Sequence, residues 1–228
     1  MKEQERANVN ILMLDADLAQ SEIKLLLDYV SVEKRKRVKL FRHVRDAQVT
    51  LLGDIMARIE LSKMTGLSNN QLSFFKNEFG KPFLSNVIDI HYNISHSGVY
   101  VVCAVSNTQI GVDIELIKSI DINIAKRFFS PDEINYVFYP SDEQQYERFY
   151  QIWTMKESQV KWEGMGLSKN LRSFSVLKAQ KNTPPFYYRA YKSREAICYV
   201  CTSSINEPIV NHISVGELLE MVSTLKRL

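Results

Sequence analysis

The chain has 228 residues, of which 45% are hydrophobic and 24% are charged, with a formal net charge of +3. This composition is typical of a soluble globular protein, and no apolar run approaches the roughly 20 residues of a membrane-spanning helix. The charged N-terminus does not resemble a signal peptide, and three cysteines fit reduced thiols, so we expect a cytoplasmic protein that does not bind membranes.

A dense basic run occupies residues 33–39, and Arg42 and Arg45 follow it. Ser31 lies just before the run, and Glu33 is the acidic first residue of the run. A serine followed by an acidic residue in the next turn predicts the N-terminus of a helix. The run has two interpretations. It is a solvated helix face, or it is an anion site for nucleic acid, a membrane surface or a phosphorylated small molecule.

The chain contains an internal repeat. The segment from Gly66 to Phe74 recurs one hundred residues later, from Gly166 to Phe174. Each copy begins where a predicted long helix ends at a glycine. These helices are predicted at about residues 46–65 and 143–164. The predicted strands are residues 72–75, 90–94 and 99–105 in the first half and residues 172–179, 186–191 and 196–202 in the second.

The repeat predicts an α/β fold made of two similar α+β lobes, residues 1–106 and 107–228. We expect the lobes to form a pseudo-dimer related by a pseudo-twofold axis, with the ligand site between them, where binding sites commonly lie. No segment rich in Pro, Gly or Ser separates the two halves, so we expect a rigid pair.

Residues 110–115 alternate as a strand that places Asp113 and Glu115 on one face and Val112 and Ile114 on the other. Two carboxylates beside apolar residues repel each other unless a cation joins them. Oxygen ligands without His or Cys favour Mg²⁺, which usually also takes oxygens from a substrate phosphate. The alternative interpretation is a solvated strand face.

A second acidic position lies on the predicted helix of the second half. Trp153, Glu157 and Lys161 follow one another at helical spacing along one edge of its apolar stripe. Glu157 and Lys161 either form an exposed ion pair, which contributes about a few tenths of a kcal/mol, or both face a cleft. In the second case Glu157 completes the metal set with Asp113 and Glu115, and Lys161 contacts a phosphate.

Two further segments are predicted turns. Residues 92–98 lie between two predicted strands, and a Ser, a His and backbone N–H groups in such a turn can cradle phosphate oxygens. The adjacent Ser95 and His96 do not make a hydrolase triad, because its His must come from elsewhere in the chain. Gly80-Lys81-Pro82 is either a plain turn or part of a site.

Five motifs, taken in this order, resemble those of the 4′-phosphopantetheinyl transferases of the large, surfactin-synthetase-activating type. The resemblance runs from about residue 33 to residue 174. The motifs are Gly80-Lys-Pro82, Asn93-Ile-Ser-His-Ser97, Gly111-Val-Asp-Ile-Glu115, Arg127-Phe-Phe-Ser130 with Glu133, and Trp153-Thr-Met-Lys-Glu157 with Lys161 and Gly164-Met-Gly-Leu167.

The resemblance implies a reaction. Such enzymes move the 4′-phosphopantetheine arm of coenzyme A onto a serine of an acyl or peptidyl carrier protein and release adenosine 3′,5′-bisphosphate. It also implies Mg²⁺ as cofactor, coenzyme A as co-substrate bound between two α/β lobes, and a place in nonribosomal peptide or polyketide biosynthesis. We expect the protein to act as a monomer.

The resemblance further implies a role for each matching residue. Mg²⁺ would bind to Asp113, Glu115 and Glu157. The catalytic residues would be Glu157, Lys161 and Glu133, where Glu133, Glu157 or a metal-bound water deprotonates the serine. The residues that bind coenzyme A would be Lys34, Arg37 and Thr50 at the 3′-phosphate, Gly80, Lys81 and Pro82 at the adenine, Ser95 and His96 at the phosphates, and Lys161 at the diphosphate.

Two positions depart from the family pattern. The family commonly has a His-Arg pair where this chain has Gln48-Val49, so a contact to the 3′-phosphate would be either weakened or supplied by Arg42 or Arg45. Arg37 replaces a lysine and keeps its charge. Neither change touches the metal set, so we expect an active enzyme.

The predicted docking surface for the carrier protein is residues 120–139, which combine apolar side chains with Lys126 and Arg127, next to Lys118. Carrier domains are typically acidic, so these charges would suit them. Two other functions are considered. One is a Mg²⁺-dependent nucleotide hydrolase that uses water as nucleophile, and the other is a non-catalytic polyanion-binding module. The sequence has no nucleic-acid-binding motif, so we expect no nucleic-acid partner.

Overall fold

The computed structural model of the protein describes residues 6–85, 87–139, 142–178 and 184–228. The strands are β1 (Asn8–Met13), β2 (Phe74–Lys76), β3 (Pro82–Leu84), β4 (His91–Ser97), β5 (Tyr100–Ser106), β6 (Ile110–Leu116), β7 (Phe186–Lys192), β8 (Ala196–Thr202) and β9 (Ile209–Ile213). The helices are α1 (Gln20–Leu27), α2 (Val32–Lys39), α3 (Val44–Thr65), α4 (Ala125–Phe128), α5 (Pro131–Phe138), α6 (Gln145–Glu163) and α7 (Val215–Val222).

Two sheets form the centre of the molecule. The first is four-stranded, in the order β4-β5-β1-β9, and the second is three-stranded, in the order β6-β8-β7. A separate hairpin pairs β2 with β3. The mixed α/β class predicted from the sequence is confirmed, and each sheet carries one of the two long helices.

The layers follow from the alternation of side chains along the strands. Val101 and Cys103 of β5 face the core beneath α3, whereas Val102 of the same strand faces the second sheet. Ile197 and Tyr199 of β8 face the core beneath α6. The order through the molecule is therefore α3, first sheet, second sheet and α6, with an apolar core at each junction. Within the described ranges no helix is long and apolar enough to cross a membrane.

Both long helices end as the sequence predicts. Gly66 and Gly164 are their C-caps and have left-handed φ angles of 71° and 74°, which glycine adopts without the strain of a Cβ. The predicted N-cap at Ser31 is also confirmed, because its side chain accepts a hydrogen bond from the Lys34 N–H.

Two local predictions are wrong. Ser95 and His96 lie on β4 itself, and the turn that follows is formed around Gly98. The predicted strand at residues 172–179 is instead a pair of 3₁₀ turns, Leu171–Ser173 and Val176–Lys178, as far as residue 178, the last described residue there. The ammonium of Lys156 binds the carbonyls of Leu171 and Phe174, which holds this segment against α6.

The C-terminal segment packs with elements of the first half. Strand β9 pairs in parallel with β1, and Leu218 and Val222 of α7 join the core beneath α3. The two-lobe division at residues 106 and 107 and its pseudo-twofold axis stay predictions.

Helix α6 lies directly on the backbone of β6, at Gly111. A Cβ at this position would collide with Ser158 O and Trp162 N and would lie 2.8 Å from Trp162 Cα. The absence of a side chain therefore sets the distance between this helix and this strand.

We predict that Gly111→Ala lowers the free energy of unfolding by about 1–3 kcal/mol, because the added methyl group would collide with the backbone of α6 and the helix must move away. Urea denaturation measures this loss. Gly216→Ala, in α7, is the control, because its nearest neighbour would be 3.9 Å away; it should be neutral or stabilising. Equal stability of the Gly111 variant and the wild type would contradict the close approach.

Candidate active site

The candidate site lies where the edge strands of the two sheets, β4 and β6, come together beneath α6. Strand β4 supplies Ser95, β6 supplies Asp113 and Glu115, and α6 supplies Glu157 and Lys161. Residues on three elements that are distant in the sequence thus meet at one place. The predicted metal set and the predicted diphosphate lysine are in this group.

Asp113 is the centre of the hydrogen bonds in the site and is only 3% exposed. Its Oδ1 accepts hydrogen bonds from Lys161 Nζ at 2.6 Å and from Ser95 Oγ at 2.8 Å. Lys161 Nζ also donates to Ser95 Oγ at 2.8 Å. The ion pair of Lys161 is therefore with Asp113, and the alternative of an exposed pair between Lys161 and Glu157 is wrong.

The other oxygen of Asp113 distinguishes this site from an ordinary buried ion pair. Asp113 Oδ2 is buried and has no hydrogen-bond partner among the described residues. A buried carboxylate oxygen without a partner costs free energy. The position therefore suits a ligand that brings positive charge or a donor to this oxygen.

The two further carboxyl groups hold protons more tightly than usual. Burial, and then the charge of Asp113, raise the pKa of Glu115 to about 7, although Ser97 Oγ donates a hydrogen bond to Glu115 Oε2 at 2.9 Å. Burial and Asp113 also raise the pKa of Glu157, against the opposing effect of Lys161. One ammonium group therefore does not balance the charge of these three carboxylates.

These observations test whether a metal ion fits. Among the described residues, no three His, Cys, Asp or Glu side chains are already gathered as a closed set of ligands. However, the site offers only carboxylate and hydroxyl oxygens, its carboxylates repel one another, and Asp113 Oδ2 is free. This donor set fits a hard divalent cation such as Mg²⁺, which normally keeps water or substrate oxygens as further ligands.

One cavity opens beside this group, and a second cavity adjoins the first. The first, of about 560 Å³, is lined by Glu157 and Lys161 among others. The second, of about 490 Å³, is lined by Lys34 and Arg37 among others. Gly80 and Pro82, at the hairpin of β2 and β3, line both, so the cavities adjoin there. Lys34 pairs with Asp54 at 3.1 Å.

His96, on β4, approaches Thr50. Thr50 Oγ1, on α3, is 3.5 Å from His96 Nε2. Burial and the charge of Lys161 lower the pKa of His96, and Lys34 acts in the same direction. His96 is thus within electrostatic reach of both predicted phosphate-binding lysines, and its ring loses its proton more readily than an unperturbed imidazole.

The place of Lys81 at the adenine stays a prediction, and its ammonium makes further contacts. Its ammonium is buried and donates to Ile110 O at 3.2 Å and to Trp162 O at 3.0 Å. Burial lowers its pKa to about 8. The side chain lines the first cavity, but its charge is directed at the backbone of β6 and α6. Lys81 therefore joins the hairpin to these two elements.

Glu133 lies away from the group, and the structure does not support the role predicted for it in deprotonating serine. Its side chain is fully buried and forms an ion pair with Lys156 at 2.8 Å. Its two oxygens accept hydrogen bonds from the N–H groups of Ser130 and Val176, each at 2.8 Å. An incoming hydroxyl group cannot reach a carboxylate enclosed in this way, so Glu133 is a structural residue.

Some cavity residues were not predicted from the sequence. Phe79, Asn93 and Lys169 line the first cavity, and Lys169 pairs with Glu163. Phe79 precedes the motif Gly80-Lys81-Pro82, and Asn93 is the first residue of the motif at residues 93–97. These two motifs could have pointed to both residues. Nothing in the sequence around Lys169 distinguishes it from a surface lysine.

The sequence was compared with known protein families and curated proteins. Residues 109–210 match the family model described as the 4′-phosphopantetheinyl transferase superfamily, and residues 18–108 match the model for the N-terminal part of 4′-phosphopantetheinyl transferases. The 4′-phosphopantetheinyl transferase Sfp of Bacillus subtilis (strain 168) is 43% identical over 163 residues, which are 72% of this chain and 73% of the relative. The chain belongs to the 4′-phosphopantetheinyl transferase superfamily.

Other members of this superfamily are also similar to the chain. The 4′-phosphopantetheinyl transferase gsp of Aneurinibacillus migulanus is 35% identical over 208 residues, covering 84% of this chain and 85% of the relative. The 4′-phosphopantetheinyl transferase psf-1 of Bacillus pumilus is 37% identical over 193 residues, covering 85% and 82%. The resemblance found in the sequence is confirmed, and the protein is a phosphopantetheinyl transferase.

For this transferase we predict that the contribution of Glu115 to stability falls as pH rises in metal-free buffer. The folded-state pKa of Glu115, about 7, is above its unfolded value, so the folded state binds the proton more tightly. This contribution is complete below the unfolded pKa of about 4.5 and is lost as pH rises through the folded pKa. Glu115→Gln should reduce the decrease in melting temperature between pH 5 and pH 7.5 in the presence of a chelator.

The control for this prediction is Glu217→Gln, in α7. The backbone and hydroxyl groups of Ser214 lower the pKa of Glu217, so its contribution is lost as pH falls and has the opposite sign. This variant should keep the decrease between pH 5 and pH 7.5. An unchanged decrease in the Glu115 variant would contradict the raised pKa of Glu115.

Proposed function

We propose that the protein transfers the 4′-phosphopantetheine group from coenzyme A to a serine of an acyl or peptidyl carrier protein, with Mg²⁺, and releases adenosine 3′,5′-bisphosphate. The observation that carries the proposal is the convergence of Asp113 and Glu115 with Glu157 and Lys161, the last two of which line a cavity, in a chain of this superfamily. We expect it to act in the cytoplasm as a monomer.

The two adjoining cavities support the binding of an elongated ligand with charge at separate points. Lys34 and Arg37 line the second cavity and would bind the 3′-phosphate of coenzyme A. Gly80 and Pro82, at the junction, would contact the adenine. Lys161, in the first cavity, would then meet the diphosphate, with Ser95 and His96 beside it.

The reaction moves negative charge onto the leaving phosphate. The serine oxygen of the carrier attacks the phosphorus attached to pantetheine, and the bond from that phosphorus to the oxygen of the leaving adenosine bisphosphate breaks. Lys161 would hold a diphosphate oxygen while this charge develops. When bound by Asp113, Glu115 and Glu157, Mg²⁺ would neutralise part of the diphosphate charge.

Glu157 is the side chain that we propose takes the proton of the serine hydroxyl. It lines the first cavity, so an incoming hydroxyl group can reach it. Glu133, enclosed by its own partners, has no such access.

The carrier protein would dock where the first cavity opens. Arg127 and Phe128 line this cavity, and Ile124 and Tyr139 nearby in the sequence are 41% and 75% exposed. A basic rim with exposed apolar residues suits an acidic partner. This surface remains within the segment predicted from the sequence, residues 120–139.

The direct test is the intact mass of an apo carrier domain after incubation with coenzyme A, Mg²⁺ and the protein. We expect the carrier to gain the mass of one phosphopantetheine group, at serine. A parallel incubation without carrier examines the hydrolase alternative. Rapid release of adenosine 3′,5′-bisphosphate there, without any mass gain on the carrier, would contradict the transfer reaction in favour of hydrolysis.

Lys161→Ala should lower kcat by roughly 10²–10³-fold, as is typical when one electrostatic stabiliser of the transition state is removed. Lys161→Arg should recover only part of this loss, since a planar guanidinium does not reproduce a compact ammonium. Lys192→Ala is the matched control, because Lys192 pairs with Glu147 on the surface. An unchanged kcat of Lys161→Ala at saturating substrates would remove Lys161 from the reaction.

The combined variant Lys34→Ala and Arg37→Ala should weaken the binding of coenzyme A much more than that of dephospho-coenzyme A, which lacks the 3′-phosphate. Isothermal calorimetry with both ligands measures the difference. Lys36→Ala with Lys39→Ala is the matched control: both residues lie on α2, but neither lines the second cavity. Equal losses of affinity for the two ligands would contradict the assignment of the 3′-phosphate to Lys34 and Arg37.

A further inference from the structure

The junction of β4 and β6 is held by side chains. Strand β4 pairs with β5, and β6 pairs with β8. Within the part of the chain that the structure describes, no backbone hydrogen bond joins β4 to β6. Each strand is thus the edge of its sheet, where backbone N–H groups lack partners from a neighbouring strand.

Two side chains of β4 supply the missing acceptors. Asn93 Oδ1 accepts a hydrogen bond from the Val112 N–H at 2.9 Å, and Ser97 Oγ accepts one from the Leu116 N–H at 3.1 Å. The hydroxyl of Ser97 at the same time donates to Glu115 Oε2 at 2.9 Å. These contacts lie on either side of the one between Ser95 and Asp113.

The contacts fix how the two strands are aligned. Asn93 and Ser97 are four residues apart, as are Val112 and Leu116, so one alignment satisfies both hydrogen bonds. A slip of one residue would turn Asp113 and Glu115 to the opposite face of the strand. A register fixed at both ends therefore keeps the two carboxylates directed at the site.

The end of this junction is also closely packed. Gly98 follows Ser97 with a φ of +58°, and a Cβ at Gly98 would collide with Leu116 Cδ1 and lie 3.2 Å from Leu116 Cγ. The turn after β4 therefore approaches the end of β6 closely, which brings the Ser97 hydroxyl within reach of the Leu116 N–H.

We propose that Asn93 and Ser97 are positioning residues, which fix the register of β6 against β4 and orient Asp113 and Glu115 for the metal ion. Asn93 acts through the backbone of Val112, and Ser97 acts through both Leu116 and the carboxylate of Glu115. The proposal rests on the proposed function, because it assigns the carboxylates to Mg²⁺. It predicts that removing either side chain breaks one specific hydrogen bond to the backbone of β6 and also lowers the affinity for the metal ion.

The first measurement is hydrogen exchange of individual amides, by NMR, in metal-free protein. Ser97→Ala should increase the exchange of the Leu116 amide by about tenfold, the effect of one lost hydrogen bond, and should leave Val112 protected. Asn93→Ala should increase the exchange of the Val112 amide and leave the Leu116 amide protected. Ser97→Thr, which keeps the hydroxyl, should restore the protection of Leu116.

The second measurement is the affinity for Mg²⁺ in the presence of coenzyme A, by calorimetry without carrier, followed by the Mg²⁺ concentration for half-maximal transfer. Ser97→Ala should lower the Mg²⁺ affinity, and raise the Mg²⁺ concentration for half-maximal transfer, by about tenfold or more, as is typical for residues that orient metal ligands. The kcat at saturating Mg²⁺ should change little. Ser97→Thr should recover most of the affinity.

Ser106→Ala is the matched control. Ser106 lies on the neighbouring strand β5, is buried, and accepts a hydrogen bond from the Thr108 N–H at 3.1 Å. It pairs with His91, at the opposite end of β4 from Ser97. Its loss removes a similar hydrogen bond far from the carboxylates and should leave the Mg²⁺ affinity unchanged.

The outcomes distinguish the positioning role of Ser97 from the proposed function. Unchanged exchange at Leu116 in Ser97→Ala would overturn the positioning role, and so would increased exchange with an unchanged Mg²⁺ affinity, since the contact would then serve only the fold. A wild-type protein that binds Mg²⁺ but transfers nothing would contradict the proposed function, while the comparison of Mg²⁺ affinities would still decide the role of Ser97.

Discussion

The contact between α6 and the backbone of β6 at Gly111 is the constraint on which the site depends. The helix carries Glu157 and Lys161, and the strand carries Asp113 and Glu115. Salt bridges and hydrogen bonds act only over short distances, so these groups meet only if the two elements lie closer than an ordinary side-chain layer permits. A glycine facing the helix makes that distance possible.

Buried lysines hold the surroundings of α6 in place. Lys81 joins the hairpin of β2 and β3 to carbonyls of β6 and α6. Lys156 joins α6 to Glu133 and to the carbonyls of Leu171 and Phe174. Each ammonium has several fixed acceptors, as a buried charge requires. The walls of the first cavity are thus attached to the helix that carries its functional side chains.

Local features of the sequence predicted much of this fold. The helix ends at Gly66 and Gly164 were predictable because an αL cap depends on a single residue. The alternation of residues 110–115 predicted the strand that carries the carboxylates. Contacts between distant residues were not predictable. Lys161 pairs with Asp113, and Glu133 is enclosed by Lys156, because of how the elements pack. The 3₁₀ turns after residue 170 depend on the same buried lysine.

The pairing of β1 with β9 has a consequence for how the molecule is made. Asn8 lies opposite Ile209, in a parallel pair, so the first sheet is complete only after β9 has left the ribosome. Contacts between such distant residues slow folding. Until then one edge of β1 is uncovered, and uncovered strand edges favour association with other chains. Folding of this protein therefore includes a late step in which β1, already paired with β5, acquires β9 as its second neighbour.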